Sequence, residues 1–131
     1  MLRTKQLSVT LLNKRGQLAF VSKCLADARI NVTALSVLEC TEAGTVRLVV
    51  DKPKEAAKAL KAAGLTVAQT DVLVAAVPNK LGMLAETCGQ LAAAKVNVNF
   101  VYGSTGKGRG IAHIVIGCTN MAAAQKALKG F

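Results

Sequence analysis

Asn13-Lys14-Arg15-Gly16-Gln17-Leu18-Ala19 and Asn79-Lys80-Leu81-Gly82-Met83-Leu84-Ala85 share the pattern Asn-Lys-x-Gly-x-Leu-Ala, once in each half of a 131-residue chain. A glycine opening a helix gathers unpaired backbone N–H groups and the positive end of the helix dipole. That end suits a carboxylate, and the missing Cβ lets an anion approach the backbone closely. The amide of Asn13 or Asn79 carries donors and an acceptor, so one side chain can meet both a carboxylate and an ammonium. Lys14 and Lys80 add positive charge beside it. This is chemistry for recognising a small zwitterion such as a free amino acid, not for making or breaking bonds.

Each residue also has a structural reading. Asn13 and Asn79 can cap the helix that follows. Gly16 and Gly82 can serve the turn alone. Asn31 and Asn97, one helix further on, can be the left-handed residues that end it. Lys14 and Lys80 can be ordinary solvated lysines. The doubled set favours a site, although duplication alone would preserve part of it.

No catalytic set assembles. The single histidine, His113, stands inside the apolar run Ile111-Ala112-His113-Ile114-Val115, where it reads as a solvent-facing or interface residue. Cys24, Cys40, Cys88 and Cys118 are scattered without CxxC spacing, so neither a zinc site nor a disulfide framework is expected. The Gly103-Ser104-Thr105-Gly106-Lys107-Gly108-Arg109-Gly110 segment resembles a phosphate loop only in composition. No Ser or Thr follows Lys107, and a strand comes next rather than a helix, so it reads as a hairpin tip, with a lid over an anionic ligand as the sharper alternative. Tyr102 precedes it and reads as core or interface filler, with a ligand contact as the sharper alternative.

The elements that must position these residues follow from periodicity. Leu7-Ser8-Val9-Thr10-Leu11 alternates with period two and predicts a strand. Leu18, Val21, Leu25 and Ala28 mark a helical stripe. Strands follow over 30–38 and 45–50, with a hairpin turn at Glu42-Ala43-Gly44. Pro53 opens a second helix and Gly64 stops it. Leu65-Thr66-Val67-Ala68 completes a β-α-β-β-α-β order, which then repeats. Val72–Val77, the Leu84/Cys88/Leu91 stripe, 96–101 and 111–116 follow in turn, and Asn120 caps the last helix. Leu18 matches Leu84 and Leu25 matches Leu91. Ala59-Leu60-Lys61 matches Ala127-Leu128-Lys129 two residues out of step, which places two extra residues just before the last helix. Residues 1–70 and 71–131 are expected as the two units, separated only by Gln69-Thr70-Asp71. The second repeat stops before a fourth strand. Either its sheet lacks that strand or another segment supplies it, and an open edge predicts dimerisation or strand exchange.

Composition sets the class. Hydrophobic residues make up 52% of the chain and aromatics 3%, so the core is built from Val, Leu, Ile and Ala. The apolar runs are far shorter than the ~20 residues a membrane helix needs, and the N-terminus lacks a signal-peptide pattern. A cytoplasmic protein without membrane contact is expected. The net charge of +10 favours acidic partners. The scarcity of stacking aromatics makes nucleic acid an unlikely one.

Residues 13–18, 25–26 and 30–32, recurring as 79–84, 91–92 and 96–98, resemble the ACT domain, and the whole chain from about Lys5 to Phe131 resembles stand-alone tandem ACT proteins. Many ACT domains have Pro before the Gly, where this chain has Arg15 and Leu81. The resemblance implies an α+β fold: two ferredoxin-like βαββαβ units in tandem, antiparallel sheets with helices on one face. It implies a non-catalytic, cofactor-free regulatory protein that binds an amino acid between paired units and forms a homodimer or docks on a partner enzyme. The implied ligand residues are Asn13, Lys14, Arg15, Gly16, Gln17 and Leu18 with Asn31 and Val32. Their equivalents are Asn79, Lys80, Leu81, Gly82, Met83 and Leu84 with Asn97 and Val98. The loop of one unit would meet the second strand of another. A ligand-free interaction module and a basic RNA-binding protein are the alternatives.

Overall fold

The computed structural model of the protein describes residues 1–38, 43–104 and 110–131. In chain order the elements are β1 (Leu2–Leu12), α1 (Gln17–Asp27), β2 (Val32–Leu38), β3 (Ala43–Val50), α2 (Pro53–Ala62), β4 (Thr66–Pro78), α3 (Met83–Ala93), β5 (Val98–Ser104), β6 (Ile111–Cys118) and α4 (Met121–Ala127). They form two compact units, Lys5–Thr70 and Asp71–Phe131, the latter together with Met1–Thr4.

In the unit Lys5–Thr70 the strand order is β2-β3-β1-β4. β3 pairs antiparallel with both β1 and β2, Leu48 lying opposite Leu7 on one side and Leu35 on the other. Period-two alternation turns Leu7, Val9 and Leu11 to one face. There they pack with Val21 and Leu25 of α1 and with Ala56 and Leu60 of α2. Burying each such Leu or Val contributes about 1.5–3 kcal/mol. Both helices therefore cover the same face of the sheet, as a βαββαβ unit requires.

The unit Asp71–Phe131 repeats this plan in the order β1-β4-β6-β5. Leu73, Ala75 and Val77 of β4 pack with Met83 and Leu91 of α3, Ile114 and Ile116 of β6, and Ala124 and Leu128. The fourth strand that this half of the sequence lacks is supplied by Leu2–Thr4, the start of β1. The unit therefore includes four residues from the far end of the chain, where the expectation grouped them with 1–70. The particular open edge that suggested a second copy is filled by the chain itself.

Several local expectations differ from the structure. Gln69-Thr70-Asp71 is no break: β4 runs unbroken for 13 residues, because these three residues include neither Gly nor Pro and all three tolerate an extended backbone. β1 likewise starts at Leu2 rather than Leu7. Ala43 and Gly44, expected in a turn, open β3; Glu42 lies outside the described residues. The two extra residues of the second repeat do not precede α4. Leu35 pairs with Leu48, and Val101, 66 residues after Leu35, pairs with Ile116, 68 after Leu48. The insertion therefore falls in the β5–β6 connection, whose residues 105–109, including most of the glycine-rich segment, lie outside the described residues.

The helix ends also differ. Asn31 and Asn97 are not left-handed; Arg29 (φ 57°) and Lys95 (φ 58°) are. Each sits two residues earlier because the helix closes there with a Schellman pair of bonds. Ile30 N–H donates to Leu25 O at 2.9 Å and Arg29 N–H to Ala26 O at 3.0 Å; Val96 N–H donates to Leu91 O and Lys95 N–H to Ala92 O, both at 2.9 Å. Asn120 does cap α4, its side chain accepting from Ala123 N–H at 3.0 Å.

Candidate functional site

In both units the first strand ends in a tight turn over the asparagine. Lys14 N–H donates to Leu12 O at 2.9 Å, and Lys80 N–H to Pro78 O at 3.0 Å. Gly16 and Gly82 then take the N-cap position in the left-handed region, with φ of 85° and 90°. A side chain there is strained by the backbone alone, since a Cβ would meet nothing within 4 Å. Gly16 and Gly82 themselves occupy the cap positions, with Asn13 and Asn79 three residues upstream. Asn79 is tied by its backbone, N–H to Gly110 O at 2.7 Å. The first helical bonds are Phe20 N–H to Gly16 O (3.0 Å) and Glu86 N–H to Gly82 O (2.9 Å). Of the N–H groups ahead of them, Met83 N–H donates to Lys80 O at 3.3 Å; the helix itself offers the others no acceptor.

A cavity opens beside each turn. In the unit Lys5–Thr70 it measures about 230 Å³ and is walled by Leu11, Asn13, Lys14, Gln17, Leu18, Val37, Leu38 and Val46. In the other unit it measures about 450 Å³ and is walled by Val77, Asn79, Lys80, Met83, Leu84, Val101, Tyr102, Gly103, Ser104, His113 and Ile114. The same four elements of the fold enclose both: the end of the first strand, the turn, the first helical turn and the end of the β-hairpin.

Of the residues expected from sequence, Asn13, Lys14, Gln17 and Leu18 line one cavity, and Asn79, Lys80, Met83 and Leu84 line the other. Arg15, Gly16, Leu81 and Gly82 shape the turns without lining either; Leu81 is fully exposed. Asn31 and Val32 stand at the other end of their strand, about 16–20 Å before Val37 at ~3.3 Å per residue. Asn97 and Val98 lie about 10–13 Å before Val101, and Val98 lines a further pocket with Leu84, Val101 and Ile114. Asn31 N–H donates to Asp51 Oδ1 at 3.0 Å and its carbonyl accepts from Asp51 N–H at 3.1 Å. Asn97 Nδ2 donates to Asn99 Oδ1 at 3.3 Å. Val32 and Val98 pack against their cores.

Sequence reasoning missed the hairpin's contribution: Val37 and Leu38 in one unit, Gly103 and Ser104 in the other, with His113. The signal was available. A hairpin strand starting near Asn31 must end seven residues on, beside the turn that follows the first strand. Tyr102 is half-buried and stacks on Phe100, ring centroids 6.4 Å apart at 23°.

Among the described residues no cluster of three His, Cys, Asp or Glu is placed to hold a metal, and no helix is long and apolar enough to cross a membrane. Burial pushes the Cys118 thiol up from its ordinary range, and the thiol donates to Met121 Sδ at 3.4 Å.

A profile of the ACT domain pair matches residues 2–128. A protein of Bacteroides thetaiotaomicron, known from its crystal structure, is 37% identical; the match covers 97% of this chain and 87% of that one, with a TM-score of 0.90. The ligand-free regulatory subunit of aspartate kinase from Thermus thermophilus superposes with a TM-score of 0.72 at 16% identity, covering 98% and 91% of the two chains. The regulatory subunit of the Thermus flavus enzyme gives 0.67 at 18%, covering 97% and 93%. At these identities the two kinase subunits share the fold. A search of curated protein sequences returned no significant match.

Proposed function

Since the chain belongs to the ACT domain pair family, we propose that it is a non-catalytic regulatory protein that binds a free amino acid at the cavity beside the Asn-Lys-x-Gly turn. The observation that carries this is the recurrence of one cavity, built from equivalent residues, in both units. The carboxylate would lie against the first turn of α1 or α3, where N–H groups lack helical acceptors. Lys14 or Lys80 would add charge, and Asn13 or Asn79 would meet the ammonium or the carboxylate. The apolar walls would take the side chain. The larger cavity falls within the roughly 300–1,000 Å³ usual for small-molecule sites.

The reading includes a second copy of the chain. Asn31, Val32, Asn97 and Val98 do not line the cavity of their own unit, so they would contribute to such a site from a neighbouring unit. The ligand would then favour one packing of the units over another, and a partner would respond to that packing. It shifts the equilibrium only by its difference in affinity for the two. Regulatory subunits of aspartate kinase share the fold, which makes an enzyme of amino-acid metabolism the first partner to test.

Thermal-shift and calorimetric titration with the twenty amino acids is the test. A ligand present at 100 times its Kd stabilises the protein by roughly 2.7 kcal/mol, and Asn79→Ala should abolish that gain. If none of the twenty raises Tm, the amino-acid reading fails.

A further inference from the structure

Although one fold builds both cavities, their walls differ in kind. The hairpin pairings fix which residues correspond: Val37 stands opposite Val46 and Leu38 opposite Thr45, while Gly103 stands opposite Ile114 and Ser104 opposite His113. Leu18 and Leu84, Lys14 and Lys80, and Asn13 and Asn79 are the same in both walls. Where the smaller cavity has the two branched side chains of Val37 and Leu38, the larger one has a hydrogen and a hydroxymethyl group. The volumes, about 230 and 450 Å³, follow that exchange.

A second difference is independent of the first. Phe100 lies over Gly117, where a Cβ would come within 2.2 Å of the ring, so the glycine makes room for the aromatic. Tyr102 stacks on Phe100 and lines the larger cavity. The corresponding residues of the other unit are Ala34 and Ser36, with Val49 in place of Gly117. This aromatic pair exists in one unit only, on the sheet face of Val115 and Gly117. Leu84 and Val101 are 58% and 46% exposed and line the larger cavity.

We propose that the two sites have diverged, so that each chain binds one ligand, in the unit Asp71–Phe131, and that this ligand is an α-amino acid with a large apolar side chain. The proposal rests on the amino-acid reading above. Val77, Leu84, Val101 and Ile114 take the apolar side chain. Gly103 and Ser104 are the residues that admit it. The other cavity keeps the turn and helix of the repeat but is narrowed by Val37 and Leu38 to about 230 Å³, below the roughly 300–1,000 Å³ usual for small-molecule sites.

The test is calorimetry on the full chain with Leu, Met and Phe against Ser, Asp and Lys. The expected result is one ligand per chain, with the apolar group binding at least tenfold tighter. Ser104→Leu, which restores the other unit's side chain at an exposed position, should weaken binding at least 100-fold with Tm of the free protein kept. Gly103→Val, which introduces the other unit's Val37 side chain, is the second variant and should weaken it at least tenfold. Two ligands per chain, undiminished binding by Ser104→Leu, or tighter binding of Ser, Asp or Lys would each overturn the proposal while leaving the amino-acid reading intact. Failure of every amino acid to bind would overturn both.

Discussion

Arg3 Nη2 donates to Asp71 Oδ2 at 2.8 Å, joining residues 68 positions apart in the chain. The same guanidinium donates through Nη1 to Gln125 Oε1 of α4 at 3.3 Å. Both contacts lie within the unit Asp71–Phe131, which the first residues of the chain complete. Arg3 and Asp71 are 45% and 32% exposed, so solvent screens the pair and Arg3→Ala should cost less than about 1 kcal/mol. Deleting residues 1–4 is a different perturbation. It bares the edge of β4 and should lower the stability of that unit far more, with self-association visible by size-exclusion chromatography. Urea unfolding of the two variants separates the contributions of ion pair and strand.

The left-handed positions give paired predictions of opposite sign. Arg29 and Lys95 adopt φ of 57° and 58°, a conformation that costs a non-glycine residue roughly 1–2 kcal/mol. Part of that returns as added freedom of the unfolded chain when glycine is introduced. Arg29→Gly and Lys95→Gly should therefore each stabilise by about 0.5–1 kcal/mol. Gly82→Ala should destabilise by about 1–2 kcal/mol, with no steric part, because its Cβ would have no neighbour within 4 Å. Chemical denaturation measures all three.

Leu25 and Leu91 are equivalent core residues, 1% and 2% exposed, one in each unit. Leu→Ala at either should cost about 2–5 kcal/mol, according to how far the site collapses around the cavity. Calorimetry should show whether the untouched unit keeps its own transition when the other is weakened.

Cys118 supplies a pH dependence. Burial raises its folded pKa above the unfolded value, so folding favours the protonated thiol. Its contribution is present below the unfolded pKa, near 8.5. It is lost as pH rises through the folded pKa, since the unfolded chain then binds fewer protons. Tm should fall more steeply between about pH 8 and 10 for the native chain than for Cys118→Ala. Thiol labelling at pH 8 should modify exposed Cys88 well before Cys118.

Element type and order were legible because strands such as Leu7–Leu11 alternate cleanly and helices such as α1 carry a regular apolar stripe. Partnership across the chain was not. Nothing in Leu2-Arg3-Thr4 marks it as the strand that the second repeat lacks, since its pairing with a distant segment is a tertiary fact. The turn half of the candidate site was visible because Asn-Lys-x-Gly-x-Leu is local and repeated. The hairpin half was hidden in residues with no chemical signature of their own. Val37 against Gly103 matters only once the two cavities are seen to correspond. His113 was noticed for its isolation, but its place in the wall depends on pairing with Ser104.

The shared use of β1 has a consequence for synthesis. Leu2–Thr4 leave the ribosome well before their β-sheet neighbours within their unit, which are made only from Asp71 onward. The unit Lys5–Thr70 can finish folding while those three residues wait. Closure of the later unit must then bring Leu2–Thr4 to β4, a contact of high sequence separation and so a slow step. Pulse-labelled hydrogen exchange should find protection at Leu73 and Ile116 arising after protection at Leu7 and Leu48.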